Sequence, residues 1–576
     1  MHRKVIFAIK HNMEKVVPHR GTFILYTFAM FVGLAGGLGA VFFDSIIEFT
    51  SHIFREIVAN ALVLQLGNIG NVFVPMIGGL IVGTITYYFA KETAGHGIPE
   101  VMEAVLHRKG EIRVRVPVIK ALVSAITIGS GGSSGREGPI AQIGAGIGSG
   151  IGKIFDMSDE DKKLLATCGL AAGIAGSFDA PLGGALFAVE ILHRRMSKET
   201  LIPVILSSVL GAAIAEQLLG RSHAFNTPEF IFSNIGSLFN YMILGIICGI
   251  AGVLWVKSYY SIERGFEKVK LPIPYKAAIG GFLVGLIGLW FPQIMGVGYD
   301  TVELVLFGGF SIGVLLVLAV LKALATGFTL GSGGSGGVFS PTVYIGTMIG
   351  GALGLFFSNY LSFGISDPMV YALVGMGAFF TAVTKAPLTG IIFISEISGN
   401  YHLLLPLMFS CALSYFIFSI FSESDIYGFR LKLRGLKPPS EKLDILTTIR
   451  VENVMNKKVS SLAGIRKANK VKRRISKGEK RKQTDYPVTE KGKVIGIVKR
   501  SAIEKVPYRN NKTQVIDLME SDYKILYPDN TVKEALDLME ENNQNMLPVV
   551  ERLSEKKLIG TFTRRDLMRA YREAMD

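Results

Sequence analysis

Long apolar stretches alternate with short glycine-rich breaks over the first three quarters of the chain. The first stretch runs from Phe23 to Phe43 and predicts a membrane-spanning helix. Several later stretches are shorter than the roughly 20 residues that cross a bilayer, and many contain Gly or Pro. Because lipid cannot pair with backbone groups, short broken helices must be buried in protein or line a polar cavity. These stretches lie near 72–90, 117–128, 163–192, 201–219, 240–257, 275–291, 311–329, 343–357, 371–397 and 403–421.

Three motifs recur in the same order at a nearly constant offset, which indicates two related halves, about 20–220 and 235–430. Transporter halves of this kind often insert with opposite topology and bind their substrate where they meet. We therefore expect a mainly α-helical, polytopic membrane protein built from two repeats, inverted according to that precedent, with broken helices. The matching segments are 95–100 with 296–300, 129–135 with 331–337, and 180–190 with 386–396.

Charge divides the chain near residue 430. Residues 430–576 contain 34 Lys and Arg and 20 Asp and Glu, so they carry +14 of the total charge of +15. Basic residues on both flanks of the apolar body place both termini in the cytoplasm. The positive tail is expected to face anionic lipid, and nucleic acid is not an expected partner. The predicted domains are a cytoplasmic N-terminal segment 1–20, a transmembrane domain 21–431, a linker 432–448 and a cytoplasmic tail 449–576.

The tail also repeats. Val454-Met455 matches Leu518-Met519, and Gly496-Ile497 matches Gly560-Thr561. Each unit predicts a short helix, two β-branched strands and a further helix. The units are expected at about 449–508 and 513–576.

The recurring Gly and Pro residues predict helix starts that could hold an anion. Pro suits the first turn of a helix, and Gly lets backbone amides approach a ligand closely. The segments are 95–99, 135–139 and 337–341. One helix start contributes about 0.3–2 kcal/mol toward an anion, whereas dehydrating an ion costs several kcal/mol. Several converging helix starts are therefore needed, and the sequence supplies three.

Glu137 lies directly before one of these helix starts. A carboxylate there could occupy the place of the anion and leave when it is protonated or displaced. The alternative is a helix-capping Glu beside Arg136.

Gly-Arg-Glu-Gly-Pro, Gly-x-Phe-x-Pro and Gly-x-Gly-Ile-Pro, with a Tyr near the end of the body, resemble the CLC family of chloride channels and chloride/proton antiporters. The resemblance spans about residues 20–430, and the tail is similar to the paired CBS module of many members. It implies a homodimer in the lipid bilayer. Each subunit would move chloride or a similar small anion, and no cofactor would be required.

The resemblance also implies roles for single residues. Glu137 matches the gating glutamate. The implied anion-binding residues are His96, Arg136, Gly138, Val338, Phe339 and Tyr427. For Arg136, Gly138, Val338 and Phe339 the backbone amide would bind, whereas Tyr427 would use its hydroxyl. An alternative for Tyr427 is an aromatic anchor at the membrane interface.

Two positions depart from the family pattern. His96 stands where the family usually has Ser; its imidazole could donate to the anion, or it could turn away and offer only its backbone. Ile191 stands where many exchangers have a proton-relaying Glu. Ile191 therefore favours a gated chloride channel, and a chloride/proton antiporter is the alternative. The neighbouring Glu190 and its repeat counterpart Glu396 are acids inside the membrane body, which suggests a functional role, but their symmetry across the halves favours a structural one.

Thr563 and Asp566 match the positions at which CBS units bind adenosine ribose, while the first unit has Lys499 and Ala502 there. An adenine nucleotide could therefore bind at one site, and a purely structural or dimerising tail is the alternative. An enzyme is not expected, because the glycine-rich segment 129–138 lacks the Gly-Lys-Ser/Thr ending of a phosphate loop. A CBS-regulated divalent-cation transporter remains a remote alternative, and no metal site is predicted.

Overall fold

The chain divides into two compact units, residues 1–439 and 440–576. The predicted basic N-terminal segment and most of the predicted linker lie outside the residues that the structure describes. This computed structural model describes residues 20–194, 196–220, 236–361, 367–436, 438, 446, 449–457, 459–476, 483–551 and 557–573.

The first half of the membrane unit begins with a helix longer than the predicted Phe23–Phe43 stretch. This helix continues through a π-helical segment, Ile53–Ala59, into the next helix. The helices of this half are α1 Arg20–His52, α2 Asn60–Leu66, α3 Gly70–Phe89, α4 Ile98–His107, α5 Arg115–Gly129, α6 Glu137–Ile154, α7 Asp159–Phe178, α8 Pro181–Leu192 and α9 Lys198–Leu219.

The second half repeats the order of the first half from α3 onward. A final short helix follows the repeat and carries Tyr427. The helices are α10 Ser237–Lys268, α11 Ile273–Gly288, α12 Tyr299–Leu306, α13 Ile312–Gly331, α14 Phe339–Tyr360, α15 Pro368–Thr384, α16 Pro387–Ile397, α17 Leu404–Phe421 and α18 Ile426–Leu433.

Equivalent helices of the two halves run antiparallel where they pack together. Along α3 and α11, a Cβ added to Gly83 would lie 2.6 Å from Pro274, and one added to Gly285 would lie 2.2 Å from the carbonyl oxygen of Val72. The C-terminal part of α3 therefore lies beside the N-terminal part of α11, and the reverse holds at the other end. The two halves are thus inverted relative to each other, as the precedent of transporter repeats leads one to expect.

Six of the described segments are long and apolar enough to cross a membrane, and several other apolar helices are short. The predicted stretch 163–192 is two helices, α7 and α8. Asp179 ends α7 in a left-handed conformation with φ of 54°, and Pro181 begins α8. Lys385, also left-handed at φ 54°, separates α15 from α16 in the same way. Broken helices of this kind fit the interior of a transporter.

The tail forms two small sheets that exchange their leading segments. Met455, at the start of the first unit, lies against Gly560 of the second, whereas Met519, at the start of the second unit, lies against Gly496 of the first. The elements of the tail are α19 Val451–Val454, β1 Leu462–Ala463, α20 Ala468–Ser476, β2 Asp485–Glu490, β3 Lys493–Lys499, α21 Arg500–Glu504, α22 Val532–Glu541, β4 Met546–Val550, β5 Leu558–Thr563 and α23 Arg564–Glu573. Strands β1, β2 and β3 form one sheet, with β1 parallel and β3 antiparallel to β2, and β4 and β5 form an antiparallel pair.

Candidate functional site

The carboxylate of Glu137 lies at the start of a helix from the opposite half. Glu137 is fully buried at the first position of α6. Its Oε2 accepts a hydrogen bond from the backbone amide of Ser340, 3.2 Å away, in the first turn of α14. Its Oε1 accepts hydrogen bonds from the hydroxyls of Ser340 and Tyr299. First-turn amides have no acceptor within their own helix, so the side chain of Glu137 fills one place at which an anion could bind.

Backbone pairing between the halves brings the two helix starts together. Gly135 and Gly337 exchange hydrogen bonds, with N–O distances of 2.8 and 2.6 Å. Position 138 requires glycine because the backbone of His96 lies too close for a side chain: an added Cβ would lie 2.1 Å from the carbonyl oxygen of His96. Gly97 adopts a φ of 82°, which favours glycine. The segments 95–99, 135–139 and 337–341 therefore converge, as the sequence predicts.

The guanidinium of Arg136 forms a buried ion pair with Asp44. Its Nη1 lies 3.0 Å from both carboxylate oxygens of Asp44, and its Nη2 donates to the carbonyl oxygen of Ser177 over 2.9 Å. The guanidinium also lies over the rings of Phe178 and Tyr299, 5.7 and 5.6 Å from their centroids. The positive charge of Arg136 is thus largely compensated, which leaves its backbone as the group it could offer to an anion.

Val338 and Phe339 are buried at the start of α14. The ring of Phe339 lies 4.8 Å from that of Phe380 and 5.1 Å from that of Phe393, measured between centroids. This aromatic packing anchors the side chain on the apolar side. The first turn of α14 is therefore held in place through the side chain of Phe339.

His96 and Tyr427 lie next to each other in the interior. Their ring centroids are 5.9 Å apart, His96 is 3% exposed and Tyr427 is fully buried. Asp425 fixes the start of α18, because its Oδ1 accepts from the amides of Tyr427 and Gly428 at 2.8 and 2.7 Å. Neither ring nitrogen of His96 nor the Tyr427 hydroxyl has a hydrogen-bond partner in the described part of the chain. The structure thus brings these two sequence-predicted residues together with their polar atoms free for a ligand.

Tyr299 was missed as a functional residue, although it lies inside a recognised repeat motif. Its hydroxyl contacts Glu137 and lies 2.8 Å from the Ser340 hydroxyl. A cavity of about 250 Å³ reaches it, with Arg136, Phe178 and Glu303 in the lining. Only the meeting of the two halves makes this contact, so no local sequence signal identified it.

Two buried lysines, Lys120 and Lys322, were also not predicted from the sequence as residues of the site. Lys120 Nζ donates to the carbonyl oxygens of Thr93 and Gly95 over 3.0 and 2.7 Å. Lys322 Nζ donates to those of Ile294 and Gly296 over 3.0 and 2.9 Å. Each lysine therefore holds the first motif of its own half. A sequence signal for them exists, because each repeat carries one Lys at the same position inside an apolar stretch.

Glu190 and Glu396 bind the helix starts of each other's half. Glu396 accepts from the amides of Leu182 and Gly183 at 3.0 and 2.6 Å. Glu190 accepts from the amides of Leu388 and Thr389 at 3.1 and 2.7 Å, and from the Thr389 hydroxyl at 2.6 Å. This reciprocal arrangement supports the expected structural role, which stays a prediction.

In the tail, the two residues suggested for a nucleotide bind each other. Asp566 Oδ2 accepts from the amide and the hydroxyl of Thr563 at 3.0 and 2.7 Å. Asp566 also lies 3.1 Å from the guanidinium of Arg569. Nucleotide binding there stays a prediction.

Comparisons with known proteins match both units. A family model described as voltage gated chloride channel matches residues 78–419, and a CBS domain model matches residues 515–573. Among named relatives, the H(+)/Cl(-) exchange transporter ClcA of Vibrio parahaemolyticus is 31% identical over 430 residues, which are 72% of this chain and 90% of that protein. Chloride channel protein CLC-f of Arabidopsis thaliana is 29% identical over 562 residues, 83% of this chain and 70% of that protein.

A solved structure is also similar. The crystal structure of a slow cyanobacterial Cl-/H+ antiporter superposes with a TM-score of 0.65 at 25% sequence identity, over 73% of this chain and 99% of the other. The relatives and the solved structure thus include transporters that couple chloride to protons.

Proposed function

The chain belongs to the CLC family of chloride channels and chloride/proton antiporters, and on that premise we propose that it exchanges chloride for protons across a membrane. From the sequence, Ile191 favoured a gated channel and left exchange as the alternative. The similar transporters that are named as exchangers favour the opposite order. Membrane anion transport is common to both interpretations, and the coupling to protons is the proposed part.

The contact between Glu137 and the Ser340 amide carries this proposal. In its ionised form, Glu137 is attracted to the start of α14 and occupies a place that would otherwise suit chloride. Protonation removes the negative charge, so the side chain loses this attraction and chloride can take its place. Each exchange of carboxylate for anion then carries one proton on Glu137. Coupling follows because a single place accepts one negative group at a time.

The proton needs a route to Glu137 that avoids Ile191. One cavity is lined by Tyr299, whose hydroxyl donates to the carboxylate of Glu137. A second cavity of about 340 Å³ is lined by Glu92, Glu100 and Gln142 among other polar residues. Gln142 lies on α6, five residues and about 7.5 Å along the helix from Glu137. We propose that water in these cavities carries the proton, because the side chain of Ile191 cannot.

The anion path is proposed to run past the unpartnered groups of the interior. The hydroxyl of Tyr427, the imidazole of His96 and the amides of Val338 and Phe339 would bind chloride in turn. The amides of Arg136 and Gly138 would serve an outer position beside Glu137. Each of these groups is a hydrogen-bond donor, and the guanidinium of Arg136 is excluded because Asp44 holds it.

The remaining features are proposed from the family. Two copies would form a homodimer with both termini in the cytoplasm, facing anionic lipid. The predicted domain bounds 21–431 and 449–576 belong to the same proposal.

An adenine nucleotide at Thr563 and Asp566 would compete with their mutual hydrogen bonds. Titrating ATP onto the full-length protein while following its melting temperature tests this, and an unchanged melting temperature would favour a structural tail.

Flux from purified protein in liposomes tests the proposed function. A chloride gradient imposed across the vesicle membrane is expected to drive protons uphill, measured with a pH electrode in weakly buffered medium. Chloride movement without proton movement would support the gated channel instead. Absence of chloride movement in vesicles that contain folded protein would contradict anion transport altogether.

A further inference from the structure

Two tyrosines pack against the ring of His96 in the interior, and of these three polar side chains only two belong to recognised motifs. The third is Tyr259, on α10. The ring centroid of His96 lies 5.8 Å from that of Tyr259 and 5.9 Å from that of Tyr427. Both tyrosines are fully buried, and His96 is almost so. We call His96, Tyr259 and Tyr427 the donor cluster.

The polar atoms of the donor cluster all lack partners. In the described part of the chain, Nδ1 and Nε2 of His96 and the hydroxyls of Tyr259 and Tyr427 make no hydrogen bond. Buried polar groups are paired in the great majority of cases, because an unpaired one loses its hydration without compensation. Four such atoms on three rings that meet at His96 indicate a ligand that satisfies them together.

The neighbouring tyrosine provides an internal contrast. Tyr260 is equally buried on α10, but its hydroxyl donates to the carbonyl oxygen of Ile426. That bond holds the residue directly before Tyr427. The two successive tyrosines therefore differ: the hydroxyl of Tyr260 makes a structural hydrogen bond, whereas the hydroxyl of Tyr259 has no partner in the described part of the chain.

Charges around the donor cluster suit an anion. Lys120 donates to the carbonyl oxygen of Gly95, the residue directly before His96. Glu263, one turn after Tyr259 on α10, is an unfavourable neighbour for an anion, but its carboxylate lies 3.0 Å from the guanidinium of Arg430. The donor cluster itself therefore consists of neutral donors, and the charge of the neighbouring Glu263 is compensated by Arg430.

We propose that Tyr259 is a third side-chain donor of the anion path and determines its selectivity together with His96 and Tyr427. The proposal rests on the proposed function and deepens it. Two phenol hydroxyls and one imidazole N–H, held by three separate elements, would point at one small monovalent anion. A site with several fixed donors favours a strongly hydrated anion such as chloride, because it replaces more of the lost water contacts. Weakly hydrated anions such as nitrate gain less from each donor.

Chloride binding to the full-length protein in detergent tests this directly. In the wild type, Glu137 occupies the start of α14, so calorimetric titration with chloride reports the inner site. The Tyr259→Phe variant is expected to raise the chloride Kd about tenfold or more, since a hydrogen bond to a charged group contributes about that factor. Tyr427→Phe is expected to do the same. The matched control is Tyr241→Phe, which removes the hydroxyl of another buried tyrosine of α10, stacked on Tyr371.

A wild-type Kd in Tyr259→Phe, beside a raised Kd in Tyr427→Phe, would overturn the role of Tyr259 and leave the proposed function standing. Absence of chloride binding to the wild type would contradict both. The ratio of nitrate to chloride turnover in liposomes provides a second measurement, because it does not depend on how much protein is folded. The ratio is expected to rise severalfold in Tyr259→Phe, and an unchanged ratio would contradict the proposal.

Discussion

The backbone amide of Ser340 donates to the carboxylate of Glu137 over 3.2 Å, although the two residues belong to opposite halves of the repeat. An acid of the first half thereby closes a helix start of the second half. Because the helices carrying these groups belong to inverted repeats, the contact lies where the halves meet. Transporters built from inverted repeats place their substrate there, so the side chain and the transported anion are expected to compete.

Replacing Glu137 by Gln should separate the two transported species. A neutral amide carries no proton and is attracted less to the start of α14. Chloride flux is therefore expected to continue or rise, while proton movement falls to background. Parallel chloride and pH measurements on the same liposomes check this. Coupled proton movement that persists in Glu137→Gln would show that another group carries the proton.

Removing the hydroxyl of Tyr299 should loosen Glu137. Tyr299 donates to the carboxylate, and a hydrogen bond to a charged group contributes about 1.5–3 kcal/mol. Tyr299→Phe keeps the ring beneath the Arg136 guanidinium and removes only the donor. Chloride turnover is expected to rise, by about tenfold or more where departure of the carboxylate limits the rate. Tyr360→Phe, on the exposed end of α14, serves as the control. Equal turnover in both variants would exclude a role of Tyr299 in holding Glu137.

The two buried lysines should contribute equally to stability. Each donates to two carbonyl oxygens of a motif segment, and a methionine cannot donate. Lys120→Met and Lys322→Met are each expected to lower the free energy of unfolding by about 1–3 kcal/mol. Melting in detergent, followed by size-exclusion chromatography, checks this against the exposed Lys257→Met. Wild-type melting of either buried variant would argue against the symmetric role.

Glu190 and Glu396 should affect stability and leave coupling unchanged. Glu190→Gln and Glu396→Gln each weaken a carboxylate contact with a helix start, which is expected to cost about 1–2 kcal/mol. Melting measurements should show similar losses for the two variants, with Glu56→Gln at the surface as reference. The ratio of chloride to protons in liposomes should match the wild type. A changed ratio in Glu190→Gln alone would instead place this acid on the proton route.

Much of the membrane unit was predictable because its signals are local. The Gly and Pro residues that begin helices lie next to one another in sequence, and the repeat identifies each one twice. The break at Asp179 was missed because the apolar run continues through it, so hydropathy alone could not separate α7 from α8.

Contacts between distant segments were not predictable. Tyr299 meets Glu137, and Met455 packs on Gly560, only after separate parts of the chain come together. Tyr259 lies outside every motif, and its hydroxyl attracts notice only because Tyr260 beside it is already paired.

A bromide-soaked crystal tests the shared place of carboxylate and anion most directly. In Glu137→Gln, the anomalous difference map is expected to show bromide at hydrogen-bonding distance from the amide of Ser340. In the wild type, at a pH where Glu137 is ionised, the carboxylate should occupy that place and the bromide peak should be missing. Bromide bound to the Ser340 amide beside an undisplaced Glu137 carboxylate, or no bromide there in the variant, would contradict the account.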